Sequence, residues 1–386
     1  MDRLAATSAL LGDLIAYPTV SSDSNLALIG DLAGRLEDAG ARVEVHQDPT
    51  GTKANLFATI GPDADGGIVL SGHSDVVPVT GQEWVSDPFK MVERDGRLYG
   101  RGTCDMKGFI AATVAMAPHL AGAVRDRPLH FAFTYDEEIG CFGAQTLAQT
   151  LRDKGLRPSV AIVGEPTSMQ IIEGHKGCYE YSTHFTGLEG HGSAPDLGVN
   201  AVEYAVRYVA RLLELKHALV GRAPANSRFD PPWTTINTGA LVGGHAHNVI
   251  AGRARVDWEM RPVQPGDADF VKDDLHHYCT HTLLPAMRAI APDADIVLET
   301  IGEVDGLIPV DDNEARRIVA ELTGANGADV VPFGTEAGIF QGMGMSVVIC
   351  GPGSIAQAHK PDEYLALDQL AQCLTMLDRL GAKLAG

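Results

Sequence analysis

The stretch LHFAFTYDEEIGCFGAQTLAQTLRDKG, residues 129–155, runs from an apolar segment through an acidic turn into an amphipathic segment that stops at a glycine. LHFAFTYDEE (129–138) reads as a buried strand ending in turn residues, and AQTLAQTLRDKG (144–155) as a helix closed by Gly155. The same pairing recurs elsewhere. IVLSGH (68–73), SVAIVGEP (159–166) and SVVICGPG (346–353) read as further buried strands, and GFIAATVAMAPHL (108–120) as a further helix. Alternation of this kind predicts an α/β fold, a mostly parallel sheet with helices on both faces.

The middle of the chain has a different rhythm. CYEYSTHFTG (178–187) alternates like a half-exposed strand, and NAVEYAVRYVARLLELKHAL (200–219) reads as an amphipathic helix with Val202, Val206, Val209 and Leu213 on one stripe. Two strands follow, TTINTGALVGG (234–244) and GRARVDWEMRP (252–262), then a helix over 267–290 and a strand at ADIVLETI (294–301). The order βαββαβ is that of the ferredoxin-like sandwich. The expected organisation is a discontinuous domain, 1–175 and 303–386, interrupted by a smaller α+β domain at 176–302.

Charge narrows the function. With 30 basic and 50 acidic side chains the net charge is −20, which argues against nucleic acid and anionic membrane as partners. Six scattered cysteines, at 104, 141, 178, 279, 350 and 373, suit free thiols in a reducing compartment. Asp13 interrupts the apolar N-terminal stretch, and no run of 18 apolar residues occurs. A cytoplasmic location is expected.

In an open α/β sheet, ligands sit beyond the carboxyl ends of the strands. The residues at or just past those ends are His73 and Asp75, Glu137 and Glu138, Glu165, and His359; Asp105 lies in the glycine-rich loop YGRGTCDMKGF (99–109) that opens the next helix. Each alone has a plainer reading as a helix cap, a solvated charge or a hydrogen-bonded core residue. Their coincidence at one rim points to a site. Clustered carboxylates repel and raise one another's pKa, and a divalent cation removes that repulsion. Imidazole and carboxylate donors without thiolate suit zinc, cobalt or manganese better than calcium or magnesium. Five such ligands exceed the needs of one tetrahedral zinc and fit two cations that share a carboxylate. The adjacent glutamates then divide the work: Glu138 coordinates, and Glu137 faces the water nucleophile as general base.

SGHSDVVP (71–78), GRGTCDMKG (100–108), YDEEIG (135–140), GEPT (164–167) and AHKPDEY (358–364) resemble, in order and spacing, the motifs of the dinuclear zinc amidohydrolases and peptidases. The resemblance implies one metal held by His73 and Glu165, a second held by Glu138 and His359, and Asp105 bridging them. It also implies that Asp75 hydrogen-bonds the other ring nitrogen of His73, and that the Asp105–Met106 peptide is cis. The inserted domain is implied to act as a lid and to supply homodimer contacts and substrate groups. His191, in GHGSAP, would reach into the partner subunit's active site to stabilise the tetrahedral oxyanion. Asn248, in HAHNVI, and Arg261, in EMRP, would bind the substrate carboxylate, a role that suits the planar guanidinium fork. Glu336, in TEAG, is a candidate partner for a substrate side-chain ammonium or else a structural charge. Cys104 and Cys141 are read as packing thiols.

The expected reaction is hydrolysis of the amide bond of a small N-acylated amino acid, with acetate and ornithine as the expected products. A succinylated amino acid, a wider range of acyl amino acids or a dipeptide would use the same machinery. A non-catalytic dimeric binding protein is the alternative of another class; the presence of Glu137 and of every expected ligand speaks against it.

Overall fold

The structure is a computed structural model that describes residues 2–386. The chain forms two compact units. One comprises the chain up to Gly174 with Pro309–Val330 and Thr335–Gly386; the other comprises His175–Ile308 and Val331–Gly334.

The first unit is built on an eight-stranded sheet. Its order is Arg42–Gln47, Ala54–Ile60, Leu129–Thr134, Ile68–His73, Val160–Pro166, Ser346–Gly351, Ile172–His175 and Asp329–Val331. Leu129–Thr134, Ile68–His73, Val160–Pro166 and Ser346–Gly351 run parallel. Arg42–Gln47 and Ala54–Ile60 are antiparallel to their neighbours, and Ile172–His175 is antiparallel to Ser346–Gly351. Ile68–His73, Leu129–Thr134 and Val160–Pro166 are buried at every residue, as parallel strands covered on both faces are. The α/β class expected from the apolar runs is the class observed.

Helix Lys107–Ala123 packs against Arg3–Ile15 and Leu367–Leu384 and against the sheet. Its ring of Phe109 lies so close to Gly164 that a Cβ there would sit 2.0 Å from it. A side chain at Gly351 would likewise meet the Gly164 carbonyl at 2.0 Å. These two glycines allow backbone and ring to close up directly beside Glu165.

The second unit carries a four-stranded antiparallel sheet in the order Thr235–Gly243, Arg253–Arg261, Cys178–Thr186 and Asp295–Val304. Burial alternates along the two inner strands, with Tyr181, Thr183 and Phe185 on one and Ala254, Val256, Trp258 and Met260 on the other turned to the core. Helices Ala201–Val220 and Asp267–Tyr278 complete that core. The helix face differs from the one expected. Tyr204, Tyr208, Leu212, Leu215 and Leu219 are buried, whereas Val206 and Leu213 are 53% and 48% exposed. Val202 and Val209 are partly buried at the margin. The aromatic rings decide the orientation: Tyr208 packs edge-on against both Phe185 and Trp258, and such rings bury more area than valines do.

All six cysteines are free. Among the described residues no helix is long and apolar enough to cross a membrane.

Candidate metal centre

The parallel strands deliver acids and imidazoles at their carboxyl ends. His73 is the last residue of Ile68–His73, and Glu165 the penultimate residue of Val160–Pro166. Beyond Leu129–Thr134 the chain turns through Asp136 in the left-handed region, φ 54°, so Glu137 and Glu138 escape strict strand alternation. His359, φ 61°, follows Ser346–Gly351. Asp105 precedes helix Lys107–Ala123, and its peptide bond to Met106 is cis.

These residues meet. His73 Nε2 lies 3.0 Å from Asp105 Oδ1 and 3.7 Å from Glu165 Oε1. His359 Nε2 lies 3.3 Å from Asp105 Oδ2 and 3.0 Å from Glu138 Oε2. Asp105 therefore turns one oxygen to each imidazole. Glu137 joins the group, its carboxylate lying within 4.8 Å of donor atoms of both His73 and Glu165.

Electrostatics mark the cluster as short of positive charge. Burial, reinforced by neighbouring carboxylates, raises the pKa of Glu137, Glu138 and Glu165. Asp105 is buried too, yet its hydrogen bonds to His359 and His73 hold it low. Hydrogen bonds to Asp105 and Glu138 push His359 up to about 10. For His73 burial opposes the cation, and the contacts with Asp105 and Asp75 outweigh it, so its pKa stands well above the usual imidazole value. No lysine or arginine forms an ion pair with these four carboxylates among the described residues. Glu165 Oε1 is buried without a hydrogen-bond partner. An orphaned buried oxygen amid two imidazoles and four carboxylates fits divalent cations, which replace protons on such donors.

Asp75 and Glu336 are each held by several partners. His73 Nδ1 meets the backbone carbonyl of Asp75 at 2.9 Å, and the Asp75 carboxylate lies beside the same nitrogen at 3.6 Å. A carbonyl only accepts, so Nδ1 carries a hydrogen, and Nε2 is the ring nitrogen turned to the cluster. The carboxylate has further partners. It accepts the Glu137 and Glu138 N–H groups at 3.1 and 3.3 Å and the Ser21 hydroxyl at 2.7 Å, and so anchors the turn that presents both glutamates. Glu336 is fully buried, its two oxygens accepting hydroxyls from Ser71 at 2.6 Å and Thr134 at 2.7 Å. Of the two readings left open for it, this burial suits a structural charge.

The remaining candidates lie in the second unit. Gly190–His191 pairs with Val249–Ile250, and the Gly192 N–H donates to the Asn248 carbonyl at 2.7 Å, so His191 and Asn248 are neighbours. Both are exposed. His191 Nδ1 is held by the Ser193 hydroxyl at 2.7 Å. Arg261 closes Arg253–Arg261 and donates to Glu259 Oε2 at 2.7 Å. Sequence reasoning assigned no role to Arg101 or Glu363. Their one signal is position, since Arg101 stands shortly before Asp105 and Glu363 shortly after His359.

The chain matches the model of peptidase family M20/M25/M40 over residues 69–383. It is 38% identical to an acetylornithine deacetylase of Klebsiella pneumoniae over 359 residues, 91% of each chain. To the acetylornithine deacetylase of Edwardsiella ictaluri it is 37% identical over 391 residues, covering 98% of this chain and 97% of that one. Among solved structures, the M20 family metallo-carboxypeptidase Sso-CP2 of Sulfolobus solfataricus shares the fold at a TM-score of 0.76 and 16% identity, covering 100% of this chain and 99% of that one. The Bacillus subtilis YXEP protein, described as a dinuclear metal binding peptidase, does so at 0.63 and 16%, covering 99% and 98%. The chain thus belongs to peptidase family M20/M25/M40 and is a metal-dependent hydrolase of amide bonds.

Proposed function

We propose that the enzyme hydrolyses N2-acetyl-L-ornithine to L-ornithine and acetate, a step of arginine biosynthesis. The hydrolytic chemistry rests on one observation above all: Asp105 divides its two oxygens between the His73–Glu165 and His359–Glu138 groups, with Glu137 beside them. The choice of substrate rests on the likeness to relatives named acetylornithine deacetylase along almost the whole chain.

His73 and Glu165 would hold one cation and Glu138 and His359 the other, Asp105 being shared. When bound, the two ions, zinc by the chemistry of the donors, supply Lewis-acid polarisation and acidify water. Glu137 takes the proton of the attacking water, a task suited to a carboxylate whose buried setting raises its basicity. It then delivers that proton to the departing amine nitrogen. Asp75 keeps Glu137 and Glu138 at their posts through the two backbone N–H groups. Arg261, drawn from Glu259, would clasp the α-carboxylate together with Asn248, and His191 would donate a hydrogen bond to the oxyanion.

The first unit serves as the catalytic domain and the second as lid and dimerisation domain. Val206, Leu213 and Val220 form an exposed apolar row along helix Ala201–Val220, which suits a homodimer contact in which His191 serves the partner subunit. Free thiols suit a cytoplasmic setting.

A substrate panel tests the assignment. The metal-loaded enzyme should show its highest kcat/KM on N-acetylornithine, above N-acetylmethionine, N-succinyl-diaminopimelate and a dipeptide. A higher value for any of the other three would transfer the assignment to that substrate.

A further inference from the structure

Asp105 and His359 come from loops far apart in sequence, yet on the metal-binding reading both must address one cation. Their spacing has a visible cause. The strand Arg97–Tyr99, which leads into the Asp105 loop, pairs with Tyr364–Ala366, which leads out of the His359 loop. Beside this ladder sit Arg101 and Glu363, each 1% exposed and paired at 2.7 Å.

Glu363 gathers four donors. Its Oε1 accepts the N–H groups of Cys104 at 2.8 Å and Asp105 at 3.0 Å; its Oε2 accepts the Gly102 N–H at 3.1 Å and Arg101 Nη1 at 2.7 Å. A carboxylate offers about four lone-pair sites, so its capacity is filled, chiefly by the backbone that presents Asp105. Arg101 extends the link to the other loop. Its Nη1 reaches the Lys360 carbonyl at 3.4 Å, and its Nη2 donates to Gln82 Oε1 at 2.6 Å. Gln82 Nε2 donates in turn to the His359 carbonyl at 2.9 Å. The path from Asp105 through Glu363, Arg101 and Gln82 to His359 is unbroken. None of the three middle residues hydrogen-bonds a side-chain donor atom of the cluster.

We propose that Glu363, Arg101 and Gln82 form a positioning relay that sets the separation of Asp105 and His359, and with it the affinity and geometry of the cation they share. A buried ion pair that only holds the fold together would stabilise the protein without tuning the metal. The relay does both, because every bond ends on a loop that carries a ligand. Groups behind the ligands in this way alter metal affinity by about 10- to 100-fold when removed.

The test uses the full chain, stripped by a chelator and titrated with cobalt(II), with visible absorption as the readout. The parent should take up two equivalents. Gln82→Leu, at a part-buried position, removes the tie to His359; it should bind one equivalent as the parent does and the other about 10- to 100-fold more weakly. Its cobalt band should shift and kcat should fall with KM within about twofold, readouts that a purely structural role would not move. Glu363→Gln, which loosens the shared Asp105, should weaken both equivalents. Parental affinities and a parental band in Gln82→Leu would overturn the relay, even if Glu363→Gln fails to fold. A parent that binds no cobalt would instead overturn the metal-binding reading on which the relay rests.

Discussion

Glu137 and Glu138 show how neighbours in sequence acquire different surroundings. The left-handed Asp136 and the Asp75 carboxylate set their turn; Glu138 contacts His359, while Glu137 stands near His73 and Glu165 without an ion-pair partner among the described residues. Glu137→Ala should lower kcat by about 10²- to 10⁴-fold while metal analysis still finds two ions per chain. Loss of an ion would exchange the two roles. A pH effect follows from the histidines. In the metal-free protein His359 rises to about 10 from an unfolded value near 6.5. Its pairing therefore contributes fully below about pH 6.5 and is lost as pH climbs toward 10. The raised carboxyls of Glu137 and Glu165 act in the same direction. The melting temperature of chelated enzyme should fall between about pH 7 and 10, and that of metal-loaded enzyme should hold; a rise in the chelated protein would contradict this. The candidate ligands were legible because strand ends and motif spacing point at them. Glu336 was not, since its charge is visible in sequence but the closure of Ser71 and Thr134 over it, from two separate strands, is not.

Elements were legible in proportion to how strongly burial shapes their pattern. Ile68–His73 and Leu129–Thr134 are apolar runs because both faces are covered, and the run announces the strand. Arg42–Gln47 lies at the sheet edge with no buried residue, and the alternation of Val43 and Val45 with polar neighbours is its one, short, strand signal. Helix Ala201–Val220 has two apolar stripes, and only contact with Phe185 and Trp258 decides which turns inward. The close approach at Gly164 is likewise invisible without the fold. Gly164→Ala should cost about 1–3 kcal/mol through overpacking against Phe109, read as a lowered melting temperature, and should weaken metal binding through Glu165. An unchanged melting temperature would show that Phe109 can move aside.

For the whole molecule, the discontinuous arrangement lets one sheet gather candidate ligands from distant parts of the chain, while the inserted unit carries His191, Asn248 and Arg261. The proposed pairing through the exposed row on helix Ala201–Val220 has a direct check. Leu213→Glu should leave the fold intact by circular dichroism, halve the mass seen by light scattering and reduce activity sharply. A dimer of undiminished stability would move the contact elsewhere. The most direct measurement of all is anomalous diffraction at the zinc edge from crystals of the metal-loaded enzyme. Two peaks are expected, one at His73 and Glu165 and one at Glu138 and His359, both beside Asp105. No peak there, or zinc bound by other residues, would contradict the two-cation centre.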